Sequence, residues 1–200
     1  MTPLPSLPPP LALGGVVLRP WVAADAPAFQ VAVCESAATV GRWMAWCHAE
    51  YTLNDAQIWI ARCQQQWATG GDREFGIFEA TSNELLGGAG INQINHVNNF
   101  ANLGYWVRAG RVRQGVATGA ATLLTRFAFA ELDLTRVEVV IRLDNLASRR
   151  VAEKLGCLLE GVARNRLLSN GAPQDAAVYS LIPRDLILAA FEAPARACVP

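Results

Sequence analysis

No excess charge of either sign runs through this sequence: 17 basic residues stand against 17 acidic ones in 200 positions. A chain without a basic surplus has no bulk attraction to nucleic acid or to an anionic membrane. Any anion it takes must be small and held at one local site. Long apolar runs are also missing, and none reaches the roughly 20 residues of a membrane-spanning helix. The five cysteines (Cys34, Cys47, Cys63, Cys157, Cys198) and two histidines form no CxxC pair and no cluster with metal-ligand spacing. No metal is therefore expected, and reduced thiols in a cytoplasmic protein are. Two phosphate-loop signatures are absent as well. Without GxxxxGK[ST] a P-loop nucleotidase is disfavoured, and without GxGxxG so is a Rossmann dinucleotide site. Met1 to Leu13 is proline-rich and lacks the basic and apolar regions of a secretory leader.

What is there reads as one packed domain, since 52% of the residues are apolar. Residues 1–14 read as a flexible, proline-rich lead-in, 15–192 as a single domain and 193–200 as a tail. Val16 to Leu18 is a short strand. Asp25 opens an amphipathic helix toward Cys34, and Thr52 with Asp55 three residues on is a capping signal. The helix behind it carries Ile58 and Cys63 among its apolar positions and ends at Gly70-Gly71. Strands over 75–80, 85–94 and 101–107 with short links predict an antiparallel meander. A helix from Val116, a strand over 137–143, a helix over 146–155 and a further strand then predict crossovers and parallel pairing. Asn170-Gly171 marks a hairpin between 158–168 and 174–182, and a helix from Pro183 to Phe191 closes the domain.

Two segments carry chemistry. In GYWVRAGRVRQGVATGA (104–120) a strand ends, a loop with Arg108, Arg111 and Arg113 follows, and a helix starts straight after Gly115. The first amides of a helix have no internal partner and sit at the positive end of its dipole, which suits a phosphate or pyrophosphate. Gly115 lets the backbone approach without a Cβ in the way. An ordinary strand–loop–helix with a packing glycine has the same pattern. In RLDNLASRRVAEKLGC (142–157) Asn145 stands as N-cap and Ser148 in the first turn, with Gly156 at the helix end. Helix capping alone would account for about half of that segment's features.

These segments, in this order, resemble the GNAT superfamily of acetyltransferases. The closest likeness is to its RimJ/RimL-like branch, the ribosomal-protein N-terminal acetyltransferase type. The likeness spans residues 15 to 183. It rests on LRPW (18–21), RWMAW (42–46), LLGGAGI (85–91), GYWV (104–107), RQGVATGA (113–120) and DNLASRRVAEKLGCLLEG (144–161), with the NG hairpin followed by Asp175 and Tyr179. It implies the GNAT form of the α/β class: a mixed, mostly antiparallel sheet of about seven strands with a central parallel pair, flanked by helices. The family's [QR]xxGx[GA] loop falls on Val112 to Ala117, with Val in place of Gln or Arg at the first position. Gly119 stands where relatives often carry Glu.

The resemblance implies acetyl-CoA as co-substrate and no metal. Coenzyme contacts are expected at Val107, Arg113, Gln114, Gly115, Val116, Ala117, Thr118, Asn145 and Ser148. Ser148 would sit near the thioester sulfur and serve the departing thiolate, and Asn145 would bond the pantetheine arm. Arg149 and Arg150 would face either the phosphates or solvent. Trp43 and Trp46 are candidates for an acceptor cleft, and strand amides near Asn92 for polarising the thioester carbonyl.

The nucleophile must be a neutral amine. An α-amine with pKa near 8 is roughly a tenth neutral at pH 7, and a lysine near 10.4 only about 0.04%, a gap of about 3.3 kcal/mol. No convincing base stands out: the candidates are His48, Glu50, Glu79 and His96, with His48 beside the expected acceptor site. A weak base suits an α-amine acceptor such as a protein N-terminus. A small-molecule amine, an aminoacyl-nucleotide and a non-enzymatic acyl-CoA-binding module remain as alternatives, and a homodimer is compatible with each.

Overall fold

The computed structural model describes residues 7–169 and 171–186. Eight strands and four helices follow one another as β1 (Leu11–Leu13), β2 (Val16–Pro20), α1 (Ala26–Ser36), α2 (Leu53–Thr69), β3 (Arg73–Glu79), β4 (Leu85–Asn95), β5 (Phe100–Val107), α3 (Val116–Ala130), β6 (Arg136–Arg142), α4 (Leu146–Lys154), β7 (Leu158–Ser169) and β8 (Ala172–Leu181). The strands form one sheet in the order β1-β2-β3-β4-β5-β6-β8-β7.

The strand beyond the expected seven is β1. Residues 11–13 lie in the stretch read as lead-in, yet Gly14 and Gly15, both at positive φ, turn the chain so that Leu11–Leu13 pairs with Val16–Leu18. The meander β3-β4-β5 is antiparallel throughout. Only one pair is parallel, β5 with β6. The second crossover, through α4, does not give parallel neighbours, because β8 inserts antiparallel between β6 and β7. Gly171 turns that hairpin at φ +77°, while Asn170 lies outside the described residues. Of the helix expected over 183–191, residues 183–186 are helical and the rest lies outside them.

Two apolar clusters cover opposite faces of the sheet, since alternate residues of β5 feed them: Ala101 and Leu103 join α3 and α4, and Trp106 joins α1 and α2. The α2 cap is reciprocal. Thr52 Oγ1 accepts from Asp55 N–H at 3.1 Å, and the Asp55 carboxylate accepts from Thr52 N–H at 2.9 Å. Gly70 at φ +81° ends the helix, which buries Cys63 but leaves Ile58 61% exposed. Thr52→Ala is expected to cost about 1 kcal/mol in urea unfolding, with activity unchanged. At α1, Asp25 makes no side-chain cap. Its carboxylate instead accepts two 2.8 Å bonds from Arg19 and one from Val22 N–H, which pins the end of β2 to the start of α1.

Candidate functional site

The parallel pair is short. Phe100–Asn102 pairs with Arg136–Glu138, and beyond that the strands part, leaving Leu103–Val107 and Val139–Arg142 without each other. The loop after β5 and the start of α3 stand at the open end of this wedge. Gly115 takes φ +78° with no side-chain cap, and Arg113 also has positive φ, +63°. The first helical bond runs from Gly119 N–H to Gly115 C=O at 2.9 Å. The amides of Val116, Ala117 and Thr118 ahead of it are therefore unused by the helix. Successive amides turned by left-handed residues make an anion-binding concavity.

Two of the three loop arginines are spent on positioning. Arg108 makes a bidentate pair with Glu35 at the end of α1 (2.6 and 2.9 Å) and reaches Glu84 at 3.4 Å. Arg111 pairs with Glu84 as well. The Ala109 amide donates to the buried Ser36 hydroxyl at 3.1 Å. These contacts tie the loop to α1 and to the turn that precedes β4 before any ligand arrives. Arg113 has no ion pair among the described residues, so it is the guanidinium free to meet a phosphate.

Across the wedge, Asn145 caps α4, its side-chain oxygen accepting from Ser148 N–H at 3.1 Å. That leaves the NH2 end of the amide free for a ligand. Tyr105 spans the gap from β5: its hydroxyl lies 2.9 Å from Ser148 Oγ and donates to the Ser148 carbonyl at 3.1 Å. Burial pushes the Tyr105 phenol up to about 12, so it stays protonated, a donor at neutral pH. Arg149 turns inward and donates to Tyr179 Oη at 3.2 Å, while Arg150 is exposed. Of the coenzyme candidates, Val107 ends β5 and Arg113 to Thr118 form the loop and first turn; Asn145 and Ser148 face them across the wedge.

The opposite face of β4 and β5 forms the floor of a cavity of about 380 Å³. Its cross-strand pairs are Gly88 with Trp106, Gly90 with Gly104, and Asn92 with Asn102. From β3, Glu74 lies beside Gly90 in the register. A Cβ on Gly90 would fall within bonding range of the Glu74 carboxylate, and one on Gly88 would strike the Trp106 indole. The glycines of LLGGAGI are thus room for two neighbouring side chains. Glu74 accepts from Asn92 Nδ2 at 3.0 Å, and Asn92 in turn accepts from Asn102 Nδ2 at 2.9 Å. Burial raises the Glu74 pKa above the usual carboxylate range, with the nearby Asp72 charge adding to it; the Asn92 bond and Arg62 oppose. A carboxyl in a cavity with a raised pKa takes a proton more readily than a free carboxylate does, which suits a general base.

Glu74 was not among the residues the sequence singled out. The four that were stand elsewhere. His48 and Glu50 are exposed and outside the cavity lining, His48 lying edge-on to Tyr51 at 5.8 Å. The Glu79 carboxylate accepts from the amides of Thr81 and Ser82 in the β3–β4 turn. His96 is exposed in the β4–β5 turn. The two tryptophans divide: Trp46 lines the cavity, while Trp43 stacks under the guanidiniums of Arg42 (4.7 Å) and Arg142 (5.2 Å). Asn92 lines the cavity too.

The four described cysteines are free. Burial pushes Cys47 to about 11 and Cys157 to about 12, so neither offers a thiolate at neutral pH. Among the described residues no group of His, Cys, Asp and Glu could hold a metal ion, and no helix is long and apolar enough to cross a membrane.

Comparison with known proteins bears on the same regions. The profile of the acetyltransferase (GNAT) domain matches residues 16–158. The Bacillus subtilis protein named Probable N-acetyltransferase YjcK is 32% identical over 136 residues, 68% of this chain and 75% of its own length. The Escherichia coli ribosomal-protein-serine acetyltransferase is 32% identical over 108 residues, 54% of this chain and 59% of its own. Among solved structures, the RimL ribosomal L7/L12 alpha-N-protein acetyltransferase in complex with coenzyme A superposes with a TM-score of 0.80. That match covers 87% of this chain and 98% of RimL at 23% identity, a likeness of fold.

Proposed function

The chain belongs to the acetyltransferase (GNAT) family, and on that premise we propose that it moves acetyl from acetyl-CoA to a primary amine, the α-amine of a protein or peptide. The observation that carries this reading is the parting of β5 from β6 beside an uncapped α3. The unused amides of Val116 to Thr118 and the unpaired Arg113 fit a pyrophosphate. The wedge fits an extended arm, with the NH2 of Asn145 on one wall. The relatives named for ribosomal proteins and the RimL structure with coenzyme A point the same way, and the setting that follows is the cytoplasm.

Acetyl-CoA supplies a thioester whose carbonyl carbon the amine attacks. The rest falls to side chains. Glu74, at the floor of the cavity on the far side of β4 and β5, takes the proton that the amine must lose. The Asn92–Asn102 chain holds its carboxylate in place. Tyr105, which also lines the cavity, joins it to the wedge, where its hydroxyl and that of Ser148 serve the departing sulfur. With no thiolate at Cys47 or Cys157, direct transfer is favoured over an acyl-enzyme route. Such a buried base relaxes the argument that only an α-amine is manageable. The α-amine remains the acceptor of choice because its deprotonation is cheaper by about 3.3 kcal/mol than a lysine's.

Calorimetric titration with acetyl-CoA, with ATP and NAD as controls, tests the coenzyme assignment; thiol release in the presence of free-N-terminal peptides tests transfer. No heat with acetyl-CoA, or no thiol release with any amine, would refute the proposal. Within it, Ser148→Ala is expected to lower kcat by about tenfold and leave the KM for acetyl-CoA nearly unchanged. The loss is smaller than the usual contribution of about 10^2 to 10^4 for a proton-transfer group because a thiolate is a stable leaving group and Tyr105 remains. Steady-state thiol release measures both constants, and an unchanged kcat would remove Ser148 from the chemistry.

A further inference from the structure

About half of the residues around the cavity over Glu74 are aromatic. Phe29 and Trp46 stack at 28° with centroids 6.4 Å apart, and Trp46 meets Trp106 edge-on at 5.7 Å. Phe29 also touches Tyr51 and Trp106, at 5.8 and 5.9 Å. The rings brace one another around the space and do not collapse onto the floor. Gly88 is filled by the Trp106 indole and Gly90 by the Glu74 carboxylate, while Gly104 offers no side chain. Trp46, at the mouth, is 40% exposed, a large apolar surface with an open side. The charged and amide groups that line the cavity are few, Glu74, Asn92 and Arg62; the other polar atoms are the hydroxyls of Tyr51 and Tyr105 and the tryptophan N–H groups. Arg62 has no ion pair among the described residues, its guanidinium lying 6.0 Å from the Trp59 ring.

This arrangement has one demanding end and one permissive body. The amine must come to Glu74 to lose its proton, so whatever the nitrogen is attached to occupies the space among the rings. A small first residue leaves that space to water against apolar walls. A hydroxyl placed there has only the indole N–H groups of Trp46 and Trp106 and the phenols of Tyr51 and Tyr105 to meet; against the apolar remainder of the rings it stays unpaired, which is costly. A flat or branched apolar group instead removes both its own surface and that of the rings from water. The incoming ammonium is favoured by the ring faces and by Glu74 together.

Resting on the acetyl-transfer reading above, we propose that this cavity selects a primary amine carried on a bulky apolar group over one carried on a small or hydroxylated group. The α-amine of an N-terminal Phe, Met or Leu and the amine of a 2-arylethylamine share that chemistry. Trp46 is the specificity-determining residue at the mouth, and Glu74 receives the proton from the bound amine.

The test is a set of peptides identical except for a first residue of Phe, Met, Leu, Ala or Ser. A second arm compares 2-phenylethylamine with ethylamine and ethanolamine. All are assayed by thiol release with the purified chain at saturating acetyl-CoA. The expected result is a kcat/KM for N-terminal Phe at least about tenfold above that for Ser. Trp46→Ala should reduce that ratio by about tenfold without changing the KM for acetyl-CoA, while Trp46→Phe retains most of it; thermal melts of both variants report folding. Preference in the peptide arm assigns a protein N-terminus, preference in the amine arm alone a small molecule, and both support the cavity chemistry. Equal or better turnover of Ser and Ala peptides overturns this inference and leaves the acetyl-transfer reading standing. So does a well-folded Trp46→Ala with an unchanged ratio. Absence of turnover with every amine overturns both.

Discussion

Glu74→Gln is expected to lower kcat/KM for the amine by about 10^2 to 10^4, the usual contribution of a positioned base. The change is nearly isosteric, and the Asn92 Nδ2 bond at 3.0 Å still finds a carbonyl oxygen to donate to. Acetyl-CoA binding, on the other side of the strands, should be unaffected. The pH dependence has a fixed sign. Burial raises the folded-state pKa of Glu74, so the protonated carboxyl is the form the fold prefers. Its contribution to stability is fully present below the unfolded value near 4.3 and is lost as pH rises through the folded value. Above that value the buried carboxylate destabilises the protein, so Glu74→Gln should melt no lower than the parent at neutral pH. The parent's activity should rise with pH along a limb displaced above the ordinary carboxylate range, and the variant should lack that limb. A companion change separates chemistry from folding. Gly90→Ala places a methyl where the Glu74 carboxylate now lies. A flexible side-chain end gives way at little cost, so stability should fall little while turnover falls with the displaced base. Full activity in Glu74→Gln across the pH range would show that the base lies elsewhere.

Glu74 escapes a reading of the sequence for a physical reason. Its role depends on register: it lies beside Gly90, sixteen residues further on, because β3 and β4 pair antiparallel with Glu74 against Gly90. A single sequence shows that 88, 90 and 92 share one strand face. It does not show which residue of the next strand fills the space the glycines leave. The signal was nevertheless in LLGGAGI, where two glycines at alternate positions on one face say that something from a neighbour must lie there. Local devices were legible. The Thr52–Asp55 cap, the Gly70 stop, the Gly115 turn and the Asn145 cap each depend on residues within a few positions of one another. The GNAT fold class followed from those elements together with their resemblance to the family, but the place of β8 between β6 and β7 did not. Trp43 and Trp46 were not separable, since three residues apart in an irregular loop fixes no common direction. The structure sends one under Arg42 and Arg142 and the other into the cavity. The three loop arginines looked equivalent for the same kind of reason. Glu35 and Glu84, both distant in sequence, claim Arg108 and Arg111 and leave Arg113.

Gly115→Asp is expected to weaken acetyl-CoA binding by about 100-fold or more, read by calorimetry. At φ +78°, with no atom within 4 Å of an added Cβ, the position has space for a side chain but disfavours most of them by conformation. Asp and Asn tolerate the left-handed region better than other residues, so the backbone penalty is modest and common to both. The carboxylate has a second effect. An acidic residue at the start of a helix bonds the free amides and is favoured by the dipole, so the introduced side chain would cap α3 with its own charge. The amides of Val116 to Thr118 would then be occupied, and a phosphate arriving there would meet a negative group. Losing about two charge-assisted bonds, at roughly 1.5 kcal/mol each, accounts for the expected factor. Gly115→Asn is the control: it carries the same backbone strain and a neutral cap, and its loss of affinity should be several-fold smaller. The order Gly, Asn, Asp in falling affinity, with melting temperatures close together, is the signature of an anion held by backbone amides. Equal affinity in all three would move the phosphates away from the start of α3, and with them the path of the coenzyme through the wedge.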